Sequence, residues 1–291
     1  QAPVQWVASP LGFNVLLSKL NKNTPAIEKY TQVAKLLEKN EECKIENNIF
    51  ISSSLTLKDE IKNLISHTNI EEADFSQYEN TFTNYANQFG QLKFLEFSPN
   101  TEVILTNVTL FESKWYTKGD TGPVIKLYNS FNYSQDIQYE GRLLEVPMQS
   151  EFKLVLVMPN EADLLHQLFA TLSERGLTAA VKSIQPLFTA QAGMTPPNVE
   201  ISSTVLVKEN KRIISSSSTV QYGSISVTDA GTRATVLTCK YSPANSLVKT
   251  GELITSTARK TALMPIYFAI VFNDTPIFIG DLCTEVLPIS V

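Results

Sequence analysis

Apolar residues in the first third of the chain recur at helical spacing. Phe13, Leu16, Leu17 and Leu20 fall on one side of a helix predicted over residues 10–19, the i, i+3, i+4, i+7 pattern of a helix that buries one face. Thr24 followed by Pro25 is a helix cap with proline in the first position, opening a second helix to about residue 38. A short amphipathic helix is expected over 57–65. Tyr78, Phe82, Tyr85 and Phe89 form an aromatic stripe that ends at Gly90, and such a stripe packs on a sheet far more often than it lines a ligand site.

Beyond Thr101 the texture changes to strands. Residues 103–111 (VILTNVTLF) are apolar and β-branched, as in a buried strand. Further strands are expected at 143–148, 154–158, 199–207 and 225–228, and a hairpin over 266–279 turns at Asn273, Asp274, Thr275 and Pro276. One helix, 162–172, interrupts them. Helices first and strands after, with no repeat and no linker, predict an α+β chain with a large mixed sheet, in one domain over 1–291. The least periodic stretch, 239–261, is rich in Ser, Thr, Lys and small residues; long loops inside domains are commonly functional.

Composition narrows the function. With 43% apolar residues the chain is not disordered, and a net charge of −5 without a basic block gives no reason to expect nucleic acid. The longest apolar runs, 152–159 and 263–272, fall far short of the ~20 residues of a membrane helix, so no membrane partner is expected. Cys43, Cys239 and Cys283 are an odd number without CxxC spacing, which indicates neither a disulfide framework nor a zinc site. His67 and His166 read as surface residues, and the acidic group Glu71, Glu72 and Asp74 reads as a solvated turn without calcium spacing. There is no GxSxG, P-loop, HExxH or GxGxxG, so nothing speaks for an enzyme, a metal or a cofactor. Sequons at Asn107, Asn132 and Asn273 permit secretion.

Several strings, in one order, resemble the serpin family over most of the chain. ASPLGFNVLLSKL (8–20) resembles the segment that leads through Ser-Pro into the central helix, and EADFSQ (72–77) the first strand of the main sheet. LTNVTLFESKW (105–115) is similar to the strand that carries a buried Asn and, eight residues on, a Trp. LLEVPM (143–148) and LVLVMPNE (154–161) resemble paired strands of the second sheet, VTDAGTRAT (227–235) the hinge, and MPIYFAIVFNDTPIFIGDL (264–282) the C-terminal hairpin. The resemblance implies the serpin fold: helices packed around a large mixed main sheet and two smaller sheets, with an exposed reactive loop, here over 231–261 with its hinge. It also implies a protease inhibitor that needs no catalytic group. A target protease cleaves the loop and forms an acyl-enzyme, the freed loop inserts into the main sheet, and the native state is held kinetically above the product.

Carried onto this chain, the resemblance makes Asp229, Gly231, Thr232, Ala234, Thr235 and Val236 the hinge. Counting on as in the family places the scissile bond at Asn245-Ser246, with Lys249-Thr250 a competing site. Ser9, Pro10, Asn107 and Gln221 fall where the main sheet opens, with Gly12 where Ser is common and Gln221 where His is common. Trp115 falls at the top of the sheet. Asn107 then reads as a buried bridging residue, and Asn132 and Asn273 remain the candidate glycan sites of a secreted, extracellular monomer whose partner is a serine or cysteine protease.

Insertion sends alternate side chains into the core. From Thr232 the inward set is Thr232, Ala234, Val236, Thr238, Lys240, Ser242 and Ala244. The first four suit a sheet interior. Lys240 would bury a charge, and Pro243 would remove a ladder hydrogen bond, so the distal half opposes insertion unless a bulge resets the alternation. Pro265 follows Gly231 by 34 residues, longer than the family's loop and following strand. No helix-forming sequence precedes Val4, and segments 40–47 and 115–125 are short for the family. These departures support a second reading, a non-inhibitory member acting as a binding, storage or scaffold protein.

Overall fold

Ser9 and Thr24 each turn the chain into a helix. The Ser9 hydroxyl accepts from Gly12 N at 2.9 Å to cap α1 (Pro10–Ser18), and Thr24 accepts from Ile27 N at 3.2 Å to cap α2 (Pro25–Leu37). Both helices begin with proline, whose missing N–H costs nothing in the first turn. The computed structural model describes residues 5–20, 24–55, 69–77, 84–89, 99–116, 125–127, 132–136, 141–161, 164–177, 179–180, 192–194, 199–207, 218–242, 254–256, 264–284 and 289–290.

Three sheets organise these residues. The main sheet has seven strands: β13 (Ile254–Ser256), β10 (Val199–Val207), β11 (Ser218–Val227), β12 (Gly231–Ser242), β4 (Val103–Lys114), β2 (Cys43–Ser52) and β3 (Asn69–Ala73), in that spatial order. Among the described residues only β2 and β3 run parallel, so the sheet is mixed. The second sheet orders β1 (Trp6–Ala8), β15 (Thr275–Thr284), β14 (Met264–Phe272), β8 (Phe152–Pro159), β7 (Gly141–Pro147) and β6 (Asn132–Asp136). A third joins β16 (Ile289–Ser290), β9 (Ala192–Met194) and β5 (Ile125–Leu127).

The largest core lies between the first two sheets. It draws Phe111, Ala234 and Val236 from the main sheet, Leu154, Phe268 and Phe278 from the second, and Leu11 and Leu37 from the helices. Phe111 and Phe152 meet edge-on across it, 4.8 Å between centroids. The other face of the main sheet is covered at residues 84–89, where Tyr85 and Phe89 pack over Phe50, Leu237, Cys239 and Tyr241. The aromatic stripe is thus a packing stripe, although Tyr78 and Phe82 lie outside the described residues, as do His67 and the helix expected over 57–65. The far face of the second sheet is covered by α3 (Leu165–Arg175).

The hairpin β14–β15 turns at Asn273 and Asp274, both at positive φ, as residues tolerant of that region do. Residues 43–52 form a full strand that the sequence pattern does not announce; its polar residues Lys44, Glu46 and Asn47 are solvent-facing or paired across the sheet. One expectation is corrected. Residues 239–242, expected in the aperiodic loop, end strand β12.

Candidate functional site

The residues expected to begin an exposed loop, 231–242, are instead β12, in the middle of the main sheet. The strand pairs antiparallel with β11 from Val227↔Thr232 to Ser218↔Tyr241, and with β4 from Lys114↔Gly231 to Val103↔Ser242. No bulge resets its alternation. Thr232, Ala234, Val236, Thr238 and Lys240 are buried on the face toward the second sheet, and Leu237, Cys239 and Tyr241 on the face beneath Tyr85. Val236 and Leu237, fully buried, contribute about 1.5–3 kcal/mol each relative to exposure.

The expectation that Lys240 requires a bulge is corrected. It enters the core at 2% exposure, and Nζ donates to Thr219 Oγ1 on β11 at 3.4 Å. Its position two residues before the strand's end leaves the flexible stem enough reach to find hydrogen-bonding oxygen.

The strand begins at a fixed turn. Thr228 N donates to Gly231 O at 2.9 Å, and the Trp115 indole N–H donates to Thr228 O at 2.9 Å. Gly231 has φ +154°, and a Cβ there would lie 2.2 Å from Ser113 O, so no other residue fits. Asp229 and Ala230 are exposed in the turn. Arg233, opposite Glu112 on β4, makes an exposed ion pair at 2.8 Å; this hydrogen bond holds the Glu112 carboxyl below its ordinary range. Such a pair contributes little, but it exists only with β12 in place.

Beneath the strand's midpoint lies a cluster of buried polar groups. Gln221 clamps Ser9 at two points: Ser9 N donates to Oε1 at 3.2 Å, and Nε2 donates to Ser9 O at 2.8 Å. Nε2 also donates to Thr238 Oγ1 of β12 at 2.9 Å. Ser9 Oγ donates to Ile277 O at 2.9 Å and fixes α1 to β15. Asn107, fully buried, accepts from Thr109 Oγ1 at 2.9 Å and donates to Asn47 Oδ1 at 3.0 Å; buried, it is a bridging residue rather than a glycan site. Gly12 makes room for this cluster, since a Cβ there would lie 2.5 Å from Asn107 Oδ1 and 3.0 Å from Thr238 Oγ1.

Ser9, Pro10, Asn107 and Gln221 are thus brought together in three dimensions, and Trp115 stands over the turn at 228–231. Sequence reasoning missed Asn47 and the ion pair of Arg233 with Glu112. The inward alternation from Thr232 did contain Thr238, without its partner. Asn245, Ser246, Lys249 and Thr250 lie outside the described residues, as does Pro243. The three cysteines are free and buried, and burial pushes the Cys239 thiol well above its ordinary range. Among the described residues there is no cluster of metal-binding side chains, and no helix is long and apolar enough to cross a membrane.

No family model matches the chain, and no curated protein sequence matches it. Solved structures do. A cleaved serpin 42Da superposes with a TM-score of 0.70 at 15% identity, covering 96% of this chain and 91% of that one. Tengpin, a thermophilic serpin in the latent state, gives 0.70 at 15%, covering 96% and 92%. The loop-inserted structure of a cleaved ovalbumin mutant gives 0.69 at 12%, covering 96% and 93%. The chain has the serpin fold.

Proposed function

We propose that the protein inhibits a serine or cysteine protease as a suicide substrate. On this reading 1–291 is one serpin domain and 231–261 its hinge and reactive loop. The protease nucleophile attacks the carbonyl carbon of Asn245, or of Lys249 at the competing site. The peptide C–N bond breaks, and Ser246 or Thr250 leaves as a new N-terminal amine. The acyl-enzyme is then carried off as the loop takes the position of β12, before water can release it. The protein contributes no catalytic group, cofactor or metal to this chemistry. Its partner is the protease, met outside the cell by a monomer.

The observation that carries the reading is the fit of Gly231–Ser242 as a strand: continuous ladders on both sides, buried side chains on both faces and a hydroxyl at 238 that meets Gln221. A free loop with this sequence has a prepared place to go. A second reading, a non-inhibitory binding, storage or scaffold protein, is favoured by one feature. Here β12 occupies the sheet in an uncut chain, so the strand-in state needs no cleavage to exist.

A thermal melt before and after nicking the loop with a trace of a non-target protease separates the two. A rise of tens of degrees is expected for the inhibitor, followed by a covalent complex that survives denaturing electrophoresis when target proteases are screened. An unchanged melt, with no covalent complex to any serine or cysteine protease, supports the non-inhibitory reading.

A further inference from the structure

Asp281 is buried at 5% exposure where β1 pairs with β15, directly opposite Trp6. Its Oδ2 accepts the Trp6 indole N–H at 2.8 Å, while Oδ1 has no partner. A carboxylate offers about four lone-pair sites and no proton. With one donor in an apolar seam, the charged form is poorly satisfied and the neutral form is favoured.

The groups that face Asp281 do not offset this. Tyr267 lies opposite on β14, Cys283 two residues along β15, and Tyr30 of α2 close to Tyr267; each would add negative charge if it ionised. From α3 the face receives Leu168, Phe169 and Leu172, with Phe169 edge-on to Tyr267 at 5.6 Å. Gln5 Oε1 is a second buried oxygen without a donor, and the same side chain hydrogen-bonds Cys283. Gln5 therefore supplies no donor to Asp281 Oδ1, which stays without a partner. Burial pushes the Asp281 carboxyl up to about 7, with the Trp6 hydrogen bond pulling the other way.

The location gives this proton a structural consequence. β1 ties the two large sheets together. It pairs with β15 in the second sheet, while Val7 N donates to Ser203 Oγ on β10 at 3.0 Å and Val7 packs against Gly223 of β11. Ser9, the next residue but one, is the one that Gln221 clamps beneath β12.

We propose that Asp281 is a pH-responsive latch on β1: neutral, it holds β1 between the two sheets, and ionised, it loosens β1 and with it the Ser9–Gln221 clamp under β12. An acid whose folded pKa lies above its unfolded value binds more protons folded than unfolded between the two. Stability therefore falls as pH rises from about 4, the ordinary carboxyl value, to about 7, and levels off above. The device acts whether or not the protein meets a protease.

NMR of the full chain with labelled aspartate carboxyls tests the proposal, alongside urea unfolding at about pH 5 and about pH 8. The Asp281 carboxyl, the Trp6 indole N–H and the Gln221 side-chain amide should titrate together, with a midpoint above about 6. The wild-type folding equilibrium should weaken roughly tenfold or more between the two pH values, and Asp281→Asn should remove most of that fall. Trp6→Phe should move the carboxyl midpoint further up. A carboxyl midpoint near 4 in the wild-type protein overturns the latch, even if neither variant folds. So does an Asp281→Asn variant that keeps the wild-type fall, and a Gln221 amide that does not move overturns the coupling to the clamp.

Discussion

Gln221 hands one amide proton to Thr238 Oγ1 at 2.9 Å and the other to Ser9 O at 2.8 Å, so the centre of the main sheet is fully satisfied only with β12 in place. Thr238→Val keeps the shape and leaves a buried N–H without an acceptor, a loss of about 1–3 kcal/mol. Thr238→Ser keeps the hydroxyl and loses about 1 kcal/mol with its methyl. In urea unfolding the Val variant should therefore be the weaker of the two. The reverse order would mean that position 238 is read by volume alone.

Toward the start of β12 the same exchange has the opposite sign. Thr232 is 2% exposed, and its Oγ1 has no hydrogen-bond partner. Thr232→Val is expected to raise stability by about 1 kcal/mol, since a buried hydroxyl without a partner is replaced by a methyl. Thr232→Arg would bury a cation opposite Ser113 and should block entry of the strand. Under the proposed function it abolishes inhibition and leaves loop cleavage intact; inhibition that survives it would rule out strand insertion as the trap.

Lys240 is the cationic side chain that β12 buries, at 2% exposure with a 3.4 Å hydrogen bond to Thr219 Oγ1. Burying a lysine side chain carries a desolvation cost that an apolar side chain does not have. Lys240→Leu should raise the unfolding free energy of the strand-in protein by about 1 kcal/mol, read as a higher urea midpoint. An unchanged midpoint would mean that in solution Lys240 stays outside the sheet.

Much of the fold is written in short-range pattern: the prolines at the starts of α1 and α2, the apolar run of β4, the Asn273-Asp274 turn of the last hairpin. The turn into β12 is legible too, because only glycine suits position 231 and small residues follow at alternate places. What the pattern hides is polar. β2 carries Lys44, Glu46 and Asn47 and becomes a strand through the ladder that β4 offers it and the bond from Asn107. Thr238 looks like any strand threonine until Gln221, 17 residues earlier, is placed beside it. The largest difference concerns a choice between two states of one segment. Residues 231–242 have turn signals before them and polar, aperiodic sequence after them, the marks of a loop, yet their alternation also suits a buried strand. Local sequence permits both; the slot between β11 and β4 decides.

Cys239 reports on that choice directly. Its thiol is fully buried beneath Tyr85, and burial pushes its pKa well up, so with β12 in the sheet it should resist alkylation. Cys43 on β2 and Cys283 on β15 are buried in other parts of the molecule and serve as internal references. If the uncut protein rests with the strand in, all three thiols should label slowly and together, at the rate of global unfolding. If it rests with the loop out, Cys239 alone should label fast, and cleavage of the loop should protect it. Thiol mapping by mass spectrometry before and after nicking reads both cases on one sample. Protection gained on cleavage would identify β12 as the product of insertion, whereas protection already complete in the uncut chain would make it a resident strand and remove the stored energy on which a trap depends.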